Sequence, residues 1–473
     1  MNSITDLELL SSSVWLNAAP TTLREQQGRA LVLAFVNAAS VWCVQRLAEL
    51  SHWQTRNPGR LQVIAVQVPR FDSEREPEGA LKLLRRQGIS VPIVLDADWK
   101  IWQRFNIHSW PTLVLLDADG FEYERLVGIG GVALDRALQG VCAEQPLSLD
   151  EDLRDVRETQ PEPRLPLRFP TGLALAEDRL YIADSGHHRI LECTTSGRVL
   201  RQFGTGTADF IDGELGQAAF HRPQGLALQR GVLYVVDTGN HALRRIHLLT
   251  GQVDTLCGNG RAGEPVEGPV GQPLLVALNH PQDLVVADNH VYMAMAGDNC
   301  IWSYELGSRS LRRCAGAGAL ELRDGSAYLA AFAQPCSLAV VNQVLYVCDA
   351  LGSSVRSMQL RGDLVQTLLG GRGVWDFGHE DGPRSSARLQ FPQAIALSPD
   401  APLLWIADSG NGSLRSLRLG GGELSTVALP RRLHGPAGLA VGAGTVWIAE
   451  TDAHAVLRYD IASGELSELP ISE

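Results

Sequence analysis

The chain has 473 residues, an apolar fraction of 45%, a charged fraction of 20% and a formal net charge of −12. This length exceeds one ordinary domain and allows two domains with full cores. The negative charge argues against nucleic acid as the main partner, because such binding rests on clustered cations. No run of residues is long and apolar enough for a membrane span, so no membrane partner is expected.

The first twenty residues, MNSITDLELLSSSVWLNAAP, lack the basic and long apolar regions of a signal peptide. The eight cysteines follow no regular spacing, which does not indicate a disulfide framework. We therefore expect a cytoplasmic protein whose thiols are reduced.

The first third of the chain alternates between strand-like and helix-like patterns. The apolar run ALVLAFV (30–36) is typical of a strand that is buried on both faces. Alternation of strands and helices, followed by a hairpin and a closing helix, predicts an α/β domain at residues 1–145. The pattern predicts further strands at 61–68, 91–96, 112–116 and 121–129, and helices at 40–53, 78–88 and 132–145.

Two segments of this domain carry a family resemblance. LVLAFVNAASVWCVQRLAEL (31–50) resembles the active-site strand and helix of thioredoxin-like proteins, in which a Cys-x-x-Cys motif begins the helix. HSWPTLVLLDADG (108–120) resembles the segment that holds the cis-proline facing that motif. The resemblance implies that Pro111 is this cis residue, and that Trp42 and Trp110 belong to a groove that binds extended chains.

The motif itself departs from the family pattern. Ser40 stands where the attacking cysteine belongs, and Cys43 takes the resolving position. Thioredoxin chemistry needs a low-pKa thiolate at the helix N-terminus. A serine hydroxyl forms no disulfide with Cys43, so ordinary dithiol exchange is excluded on this motif. Ser40 is instead expected to cap the helix by accepting hydrogen bonds from free backbone N–H groups.

Two interpretations of Cys43 stay open. One turn into the helix, it is expected to be buried as a small apolar residue without a sulfur partner. The alternative is a single-thiol role, such as glutathionylation, in an oxidoreductase or redox sensor.

Residues 146–168 contain charges and prolines but little apolar periodicity, which predicts a linker. Beyond them one unit repeats, with each copy holding four short apolar runs separated by turns. Four strands per unit at this spacing predict the blades of a six-bladed β-propeller over residues 169–473. The six copies begin at residues 170, 223, 281, 335, 392 and 436.

The repeated pattern, as in PTGLAL…LYIADSGHHRI (170–190) and PQGLAL…LYVVDTGNHALRRI (223–246), resembles NHL repeats. The segments DGELGQAAFHRPQGLA (212–227) and DGSAYLAAFAQPCSLA (324–339) resemble those of NHL-repeat-containing proteins that carry an N-terminal thioredoxin-like domain. The resemblance implies an α/β thioredoxin-like domain followed by an all-β six-bladed NHL-type β-propeller.

Five blades place a carboxylate just after the second strand. Because it recurs in blade after blade, a structural role is favoured over a catalytic one: the carboxylate accepts N–H bonds from the following turn. Blade three has Met295 or Ala296 at this point, so its turn is expected to differ. The five carboxylates are Asp184, Asp237, Asp349, Asp408 and Glu450.

Enzymes built on NHL-like propellers hold a metal in the central channel, with ligands from several innermost strands. Here the expected channel positions contain one carboxylate, Asp283, with His280 nearby, which is too little for a divalent-cation cage. We therefore expect no metal and no other cofactor. Two alternatives stay open for Gln224, Gln282 and Gln393: a polar channel mouth that binds a peptide, or hydrogen bonds to neighbouring blades and water.

Two further groups of side chains are expected to face solvent. Arginines after the third strand are expected to form outward-facing charge pairs, with a surface groove for acidic peptides as the alternative. Histidines in the turns are expected to be solvated. The arginines are Arg244, Arg245, Arg356, Arg415 and Arg458, and the histidines are His187, His188, His241 and His454.

The segment NCIWSYELGSRSLRRC predicts the third and fourth strands of blade three. A hairpin centred on Gly307 would place Cys300 and Cys314 opposite each other as two free thiols, as Leu243 and Cys257 are placed in blade two.

The leading hypothesis is a non-enzymatic scaffold that binds a protein or peptide, because propellers offer rigid faces made of loops. The first alternative is a thiol-dependent oxidoreductase or redox sensor that uses Cys43 alone. A metal-dependent hydrolase or lyase built on the propeller is the third.

Overall fold

The computed structural model describes residues 13–128, 130–143, 165–264, 266 and 268–472. The chain divides into two compact units, Met1–Pro163 and Arg164–Glu473. The predicted linker, residues 146–168, falls mostly outside the described ranges. Within those ranges, no helix is both long and apolar enough to cross a membrane.

The first unit is a thioredoxin-like α/β domain built on one sheet. Its strands are β1 (Val14–Trp15), β2 (Ala30–Val36), β3 (Leu61–Gln67), β4 (Ile93–Leu95), β5 (Thr112–Leu116) and β6 (Glu122–Val127). Its helices are α1 (Val41–Arg56), α2 (Pro77–Arg86), α3 (Lys100–Arg104) and α4 (Val132–Ala143). The strands lie in the order β1-β4-β3-β2-β5-β6. Every residue of β2 and β3 is buried, as continuous apolar runs predict.

The sequence patterns missed β1 and α3, two short elements that side-chain hydrogen bonds stabilise. Asn17 ties the segment after β1 to the sheet, because its side-chain oxygen accepts the Ile93 N–H at 2.9 Å. The carboxylate of Asp96 accepts the N–H groups of Ile101 and Trp102 at 3.1 and 2.8 Å. These bonds stabilise the start of α3, which is too short to be stable by propensity alone.

The second unit is a six-bladed β-propeller. Blades one to three contain β7 (Pro170–Leu175), β8 (Arg179–Asp184), β9 (Arg189–Thr194), β10 (Val199–Phe203); β11 (Pro223–Gln229), β12 (Val232–Asp237), β13 (Ala242–His247), β14 (Val253–Cys257); and β15 (Pro281–Ala287), β16 (His290–Met295), β17 (Cys300–Glu305), β18 (Ser310–Ala315). A short strand, β19 (Gly325–Ser326), precedes blade four. Blades four to six contain β20 (Pro335–Val341), β21 (Val344–Asp349), β22 (Ser354–Gln359), β23 (Leu364–Gly370); β24 (Ala394–Leu397), β25 (Leu403–Asp408), β26 (Ser413–Arg418), β27 (Leu424–Thr426); and β28 (Pro436–Gly442), β29 (Thr445–Glu450), β30 (Ala455–Asp460), β31 (Leu466–Glu468).

The six innermost strands form a closed ring in the order β7, β11, β15, β20, β24, β28 and back to β7. Blade six closes on blade one through side chains and backbone. The Thr451 hydroxyl donates to the Pro170 carbonyl oxygen at 2.7 Å. Ser472 lies along the outer edge of blade one, where its carbonyl oxygen accepts the Val199 N–H at 2.8 Å. The C-terminal segment thereby joins both ends of the propeller.

The predicted pairing of Cys300 with Cys314 is wrong. Ile301 pairs with Ala315 and Trp302 with Arg313, so Cys314 is the extra residue of a β-bulge. Cys300 packs in the cluster between blades two and three, whereas Cys314 packs in the cluster between blades three and four. The rest of the hairpin, for example Tyr304 opposite Leu311, is shifted by one residue from the predicted register. This shift places the two thiols on opposite faces of the sheet.

The segment before the first strand of a blade, for example residues 204–222 before blade two, is called the strap. A buried carboxylate at the end of the second strand joins each of five blades to its strap. The carboxylate accepts a strap N–H, for example from His221 to Asp237 at 2.8 Å and from Gln390 to Asp408 at 2.8 Å. We predicted backbone donors in the following turn. The turn contributes side chains instead, such as Asn240, whose amide donates to Asp237 at 2.8 Å.

Blades two, four and five each contain a buried ion-pair network of the same kind. This finding corrects the prediction that the arginines of these networks face outward. In blade five the fully buried Arg415 donates to Asp408 at 2.6 Å and to the strap residue Asp381 at 2.6 Å. Asp381 in turn accepts the Thr426 hydroxyl at 2.9 Å. Arg244 and Arg356 make the corresponding bonds in blades two and four, with Asp237, Asp212, Asp349 and Asp324. Of the arginines expected outside, Arg458 is exposed and Arg245 is half-buried.

Blade three replaces this network by apolar residues. Met295 pairs with Pro281 as Asp237 pairs with Pro223, which confirms that Met295 stands at the carboxylate position. Trp302 follows at the arginine position and is 2% exposed. Its indole N–H donates at 2.9 Å to Asp298, a carboxylate of the following turn.

Replacing Arg415 with Met is expected to lower the free energy of unfolding by about 3–5 kcal/mol, because Asp408 would remain buried without its cation. Adding Asp408→Met removes the stranded charge but leaves the Gln390 N–H and one N–H of the Asn411 amide without this acceptor. The double variant is therefore expected to lie about 1–3 kcal/mol below the wild type. Urea unfolding of the full chain measures both. A double variant less stable than Arg415→Met would contradict this account.

Candidate binding site

The loop before α1 and the loop before β5 meet at one edge of the sheet in the first unit. Phe35, near the end of β2, pairs with Thr112, the first residue of β5. The register therefore places Pro111 beside the segment that runs from Asn37 to Ser40. The Trp110–Pro111 peptide bond is cis, as predicted.

Buried amide side chains hold the loop before α1. The Gln67 side-chain oxygen accepts the Ala38 N–H at 2.9 Å, and that of Asn37 accepts the Ala39 N–H at 3.1 Å. Asn37 also donates to Glu74 at 2.8 Å. Glu74 is 3% exposed, and burial raises its pKa. The position of the motif is thus fixed without a disulfide.

Ser40 occupies the N-cap position of α1 with extended backbone angles, but its side chain makes no capping hydrogen bond. The expected cap is therefore correct in position and wrong in mechanism. The hydroxyl instead contacts the Cys43 thiol, and this contact acts to lower the pKa of the thiol against the larger effect of burial. Ser40 itself is buried at 9% exposure, so little of its hydroxyl faces solvent.

Cys43 is completely buried and forms no disulfide, as predicted. Its sulfur accepts the Asn37 N–H at 3.4 Å. Burial raises the pKa of this thiol to about 11, and the hydrogen bond from Asn37 only partly offsets that effect. The thiolate needed for exchange chemistry is therefore scarce near neutral pH.

Trp110 belongs to an aromatic cluster of which the sequence patterns predict only one member, Trp110 itself. Its ring centroid lies 4.9 Å from that of Trp102 and 5.3 Å from that of Trp99. Both partners come from the missed helix α3 and its N-cap. Trp42 and Trp110 are half-buried, so each presents part of its ring to solvent. The spacing of the tryptophans in DADWKIWQRF was the available signal.

The predicted glutamine ring of the propeller channel is only partly accessible. Gln282 and Gln393 are 8% and 7% exposed, and Gln224 is half-buried. The Gln393 amide donates to the Pro392 carbonyl oxygen at 3.4 Å. The Gln282 side-chain oxygen is buried without a hydrogen-bond partner. These two side chains therefore lie within the wall of the channel.

Asp283 links the innermost strands of blades three and four. Its carboxylate accepts the Ser337 hydroxyl at 2.8 Å and the Leu338 N–H at 2.9 Å. Burial raises the pKa of Asp283 to about 6. Among the described residues, no group of three or more His, Cys, Asp or Glu side chains is arranged to hold a metal ion.

Three of the four turn histidines form hydrogen bonds to the neighbouring blade, which corrects the expectation that they are solvated. His188, His241 and His454 each adopt a left-handed backbone conformation at the end of a turn. Their Nδ1 atoms accept the backbone N–H groups of Arg222, His280 and Phe169 in the next blade at 3.0–3.1 Å. His187 instead contacts Asp184 of its own blade at 2.8 Å.

These bonds require neutral imidazoles. Burial lowers the pKa of both His188 and His241 to about 4, and the neighbouring His221 adds to this effect. Blade three uses Asn299 at the same position, and its side-chain oxygen accepts the Gln334 N–H at 2.9 Å. An uncharged acceptor is thus what the position requires.

Several curated relatives match nearly the whole chain. NHL repeat-containing protein 2 of Gallus gallus is 30% identical over 517 aligned residues, which cover 98% of this chain and 71% of the relative. The chloroplastic protein SUPPRESSOR OF QUENCHING 1 of Arabidopsis thaliana is 31% identical, with 98% of this chain and 47% of the relative covered. A family model of the NHL repeat matches residues 167–193 and 220–246.

Other similarities cover parts of the chain. The thiol-disulfide oxidoreductase YkuV of Bacillus subtilis is 22% identical over 29% of this chain and 93% of its own length. Among solved structures, virginiamycin B lyase of Staphylococcus aureus has 13% identity and a TM-score of 0.42, covering 64% of this chain and 85% of that chain.

Lowering the pH is expected to destabilise the propeller through His188 and His241. Because their pKa values in the fold lie below the ordinary 6.5, the unfolded chain binds protons first. The stability that they provide is complete above pH 6.5 and is lost as the pH falls towards about 4. His241 is expected to cost roughly 2 kcal/mol by about pH 5, and His188 less, because solvent screens its partly exposed ring. Urea unfolding measures the loss.

The double variant His188→Asn/His241→Asn supplies the control. Asparagine keeps the acceptor and tolerates the left-handed conformation, as Asn299 does in blade three. Buried carboxylates such as Asp237, whose pKa is raised to about 6, titrate with the opposite sign and are retained in this variant. The variant is expected to show a smaller stability loss on acidification. An unchanged loss would mean that other groups cause it.

The reactivity of the thiols provides a separate test of whether the cysteines are buried. All eight cysteines are free and buried, so fewer than one thiol per chain is expected to react rapidly with Ellman's reagent in the folded protein. All eight are expected to react after unfolding in guanidinium chloride. Rapid reaction of Cys43 in the folded protein, identified by mass spectrometry, would contradict its burial.

Proposed function

We propose that this chain, which belongs to the NHL repeat-containing protein 2 family, is a non-enzymatic scaffold that binds proteins or peptides. It combines an NHL propeller with a thioredoxin-like domain whose redox motif is impaired. The observation that carries the proposal is the pairing of a buried, high-pKa Cys43 with a serine at the attacking position. Dithiol exchange needs two thiols, and this motif has one.

The surface at Pro111 supports binding rather than catalysis. Trp42 and Trp110 are half-buried aromatic side chains, a type enriched at energetically important contacts. The Trp99–Trp102–Trp110 cluster holds Trp110 in one position, so little side-chain entropy is lost when a ligand packs on it. We infer that an extended peptide lies across this surface beside Pro111.

The alternative of single-thiol chemistry at Cys43 is less favoured. A thiol with a pKa of about 11 is almost entirely protonated near neutral pH, and complete burial blocks a protein substrate. Catalysis by a propeller-bound metal has no ligand cluster among the residues that the structure describes.

We also propose that the protein works in a reducing compartment such as the cytoplasm. Support comes from the eight free thiols, several of which lie in the interiors between blades. The partner is proposed to be a protein or peptide rather than nucleic acid or a membrane, in keeping with the net charge of −12.

Replacing Trp110 with Ala is expected to weaken peptide binding by about tenfold or more, because a buried aromatic contact is worth roughly 2 kcal/mol. Peptides selected by phage display against the full chain provide the ligands, and fluorescence anisotropy measures their affinity. Trp53→Ala is the matched control. It removes a half-buried tryptophan of the same domain that contacts Asp135 on α4.

Insulin reduction in the presence of dithiothreitol tests the enzymatic alternative. The wild type and Cys43→Ser are both expected to match the rate without protein. Turnover that depends on Cys43, or equal loss of peptide affinity in both tryptophan variants, would overturn the proposed function.

A further inference from the structure

A cavity of about 470 Å³ lies between blades four and five. Its wall contains the outermost strand of blade four from Thr367 to Gly370, the strap of blade four and the strap of blade five. Three arginines line it: Arg323, Arg372 and Arg384. Leu322, Leu368 and Leu369 provide an apolar side. The volume falls within the range of small-ligand pockets in proteins.

The space between blades two and three can be compared with the cavity between blades four and five. Equivalent positions are identified from the hydrogen bonds and strand pairs that recur in both places. Arg323 precedes Asp324, the strap partner of Arg356, just as Ile211 precedes Asp212, the strap partner of Arg244. Residue 211 is therefore the counterpart of residue 323, and it is apolar.

The other two arginines also replace uncharged residues. Leu369 pairs with Val355 as Cys257 pairs with Leu243, and three residues further on stand Arg372 and Gly260. Arg384 follows Pro383, whose carbonyl oxygen accepts the Ser386 N–H. Pro273 follows Gln272, whose carbonyl oxygen accepts the Leu275 N–H. The fold therefore needs no arginine at any of the three positions.

A change of side-chain size accompanies the change of charge. In blade two, the ring of Phe210 lies 5.1 Å from the guanidinium carbon of Arg244. A Cβ added to Gly260 would lie 3.0 Å from this ring, so Phe210 fills the space there. Leu322 takes the place of Phe210 in blade four, because each lies two residues before the strap aspartate. The shorter side chain leaves room for the cavity.

Positive charge predominates in the cavity wall. Its one carboxylate, Asp324, is paired with Arg356 at 2.8 Å, a guanidinium that it shares with Asp349, and it accepts the Thr367 hydroxyl and N–H at 2.9 and 3.0 Å. Arg384 donates to the Arg418 carbonyl oxygen at 2.9 Å, and its buried Nε has no partner. Arg323 lies 3.4 Å from Glu321, but both side chains are about half exposed and attract each other weakly.

We propose that this cavity binds a phosphate monoester group through the guanidinium groups of Arg323, Arg372 and Arg384. A phosphate monoester carries a charge of about −1.5 to −2 near neutral pH and three acceptor oxygens, which matches several guanidinium forks better than one carboxylate does. The apolar side of the cavity accommodates the part of the ligand to which the phosphate is attached. That part belongs either to a phosphorylated side chain of a peptide or to a small organic phosphate.

This site adds a second surface to the proposed binding function. Its test uses variants that leave the surface at Pro111 intact, so the two proposals can fail separately.

Isothermal titration calorimetry of the full chain tests the proposal with three probes. They are phenyl phosphate, a degenerate phosphoserine peptide mixture and the same mixture without phosphate. At least one phosphorylated probe is expected to bind at concentrations up to about 1 mM, and the unphosphorylated mixture is not. Binding of phenyl phosphate alone assigns a small organic phosphate, whereas stronger binding of the peptide mixture assigns a phosphorylated side chain.

Arg372→Gln and Arg384→Gln are each expected to weaken binding about tenfold or more. Arg361→Gln is the matched control, because Arg361 is an exposed arginine in the turn between β22 and β23 of the same blade. Thermal unfolding confirms that each variant is folded. Absence of binding by both phosphorylated probes, or equal weakening in the control, overturns the proposal.

Discussion

The propeller depends on carboxylates that are buried at the end of the second strand in five of its blades. Each carboxylate accepts a backbone N–H from the strap, as Asp184 does from Arg168 and Glu450 from His434. A strap runs over the edge of its blade and would otherwise bury N–H groups without acceptors. The same carboxylate thus ends a strand, positions a strap and orders the turn that contacts the next blade.

The carboxylate and arginine positions are filled in two chemically different ways. Blades two, four and five bury a guanidinium between two carboxylates, whereas blade three uses Met295 and Trp302. Replacing a buried ion pair by apolar residues is often neutral for stability, provided that both charges leave together. Blade three satisfies that condition, since Met295 and Trp302 stand at the aspartate and arginine positions of the other blades.

The two units stabilise their candidate binding surfaces through different interactions. In the thioredoxin-like domain, Asn37 and Gln67 fix the loop beside Pro111 with side-chain hydrogen bonds, and the tryptophan cluster supports Trp110. In the propeller, the blade framework is already complete without the three arginines of the cavity. Surface residues on such a framework are free to change without loss of the fold.

The sequence by itself determined the two domains, the number of blades, the cis-proline and the burial of Cys43. These features follow from local patterns: apolar runs, the repeat spacing and a recognisable motif. Only the tertiary structure decided the rest. The register of β17 and β18 differs by one residue from the predicted one, and the bulge at Cys314 shifts it further, so Cys300 and Cys314 do not pair. The inward direction of Arg415 depends on Asp381, and the role of His454 depends on Phe169, residues that are distant in sequence. Local sequence patterns do not show which residues make such contacts, because each contact is set by how one element packs on another.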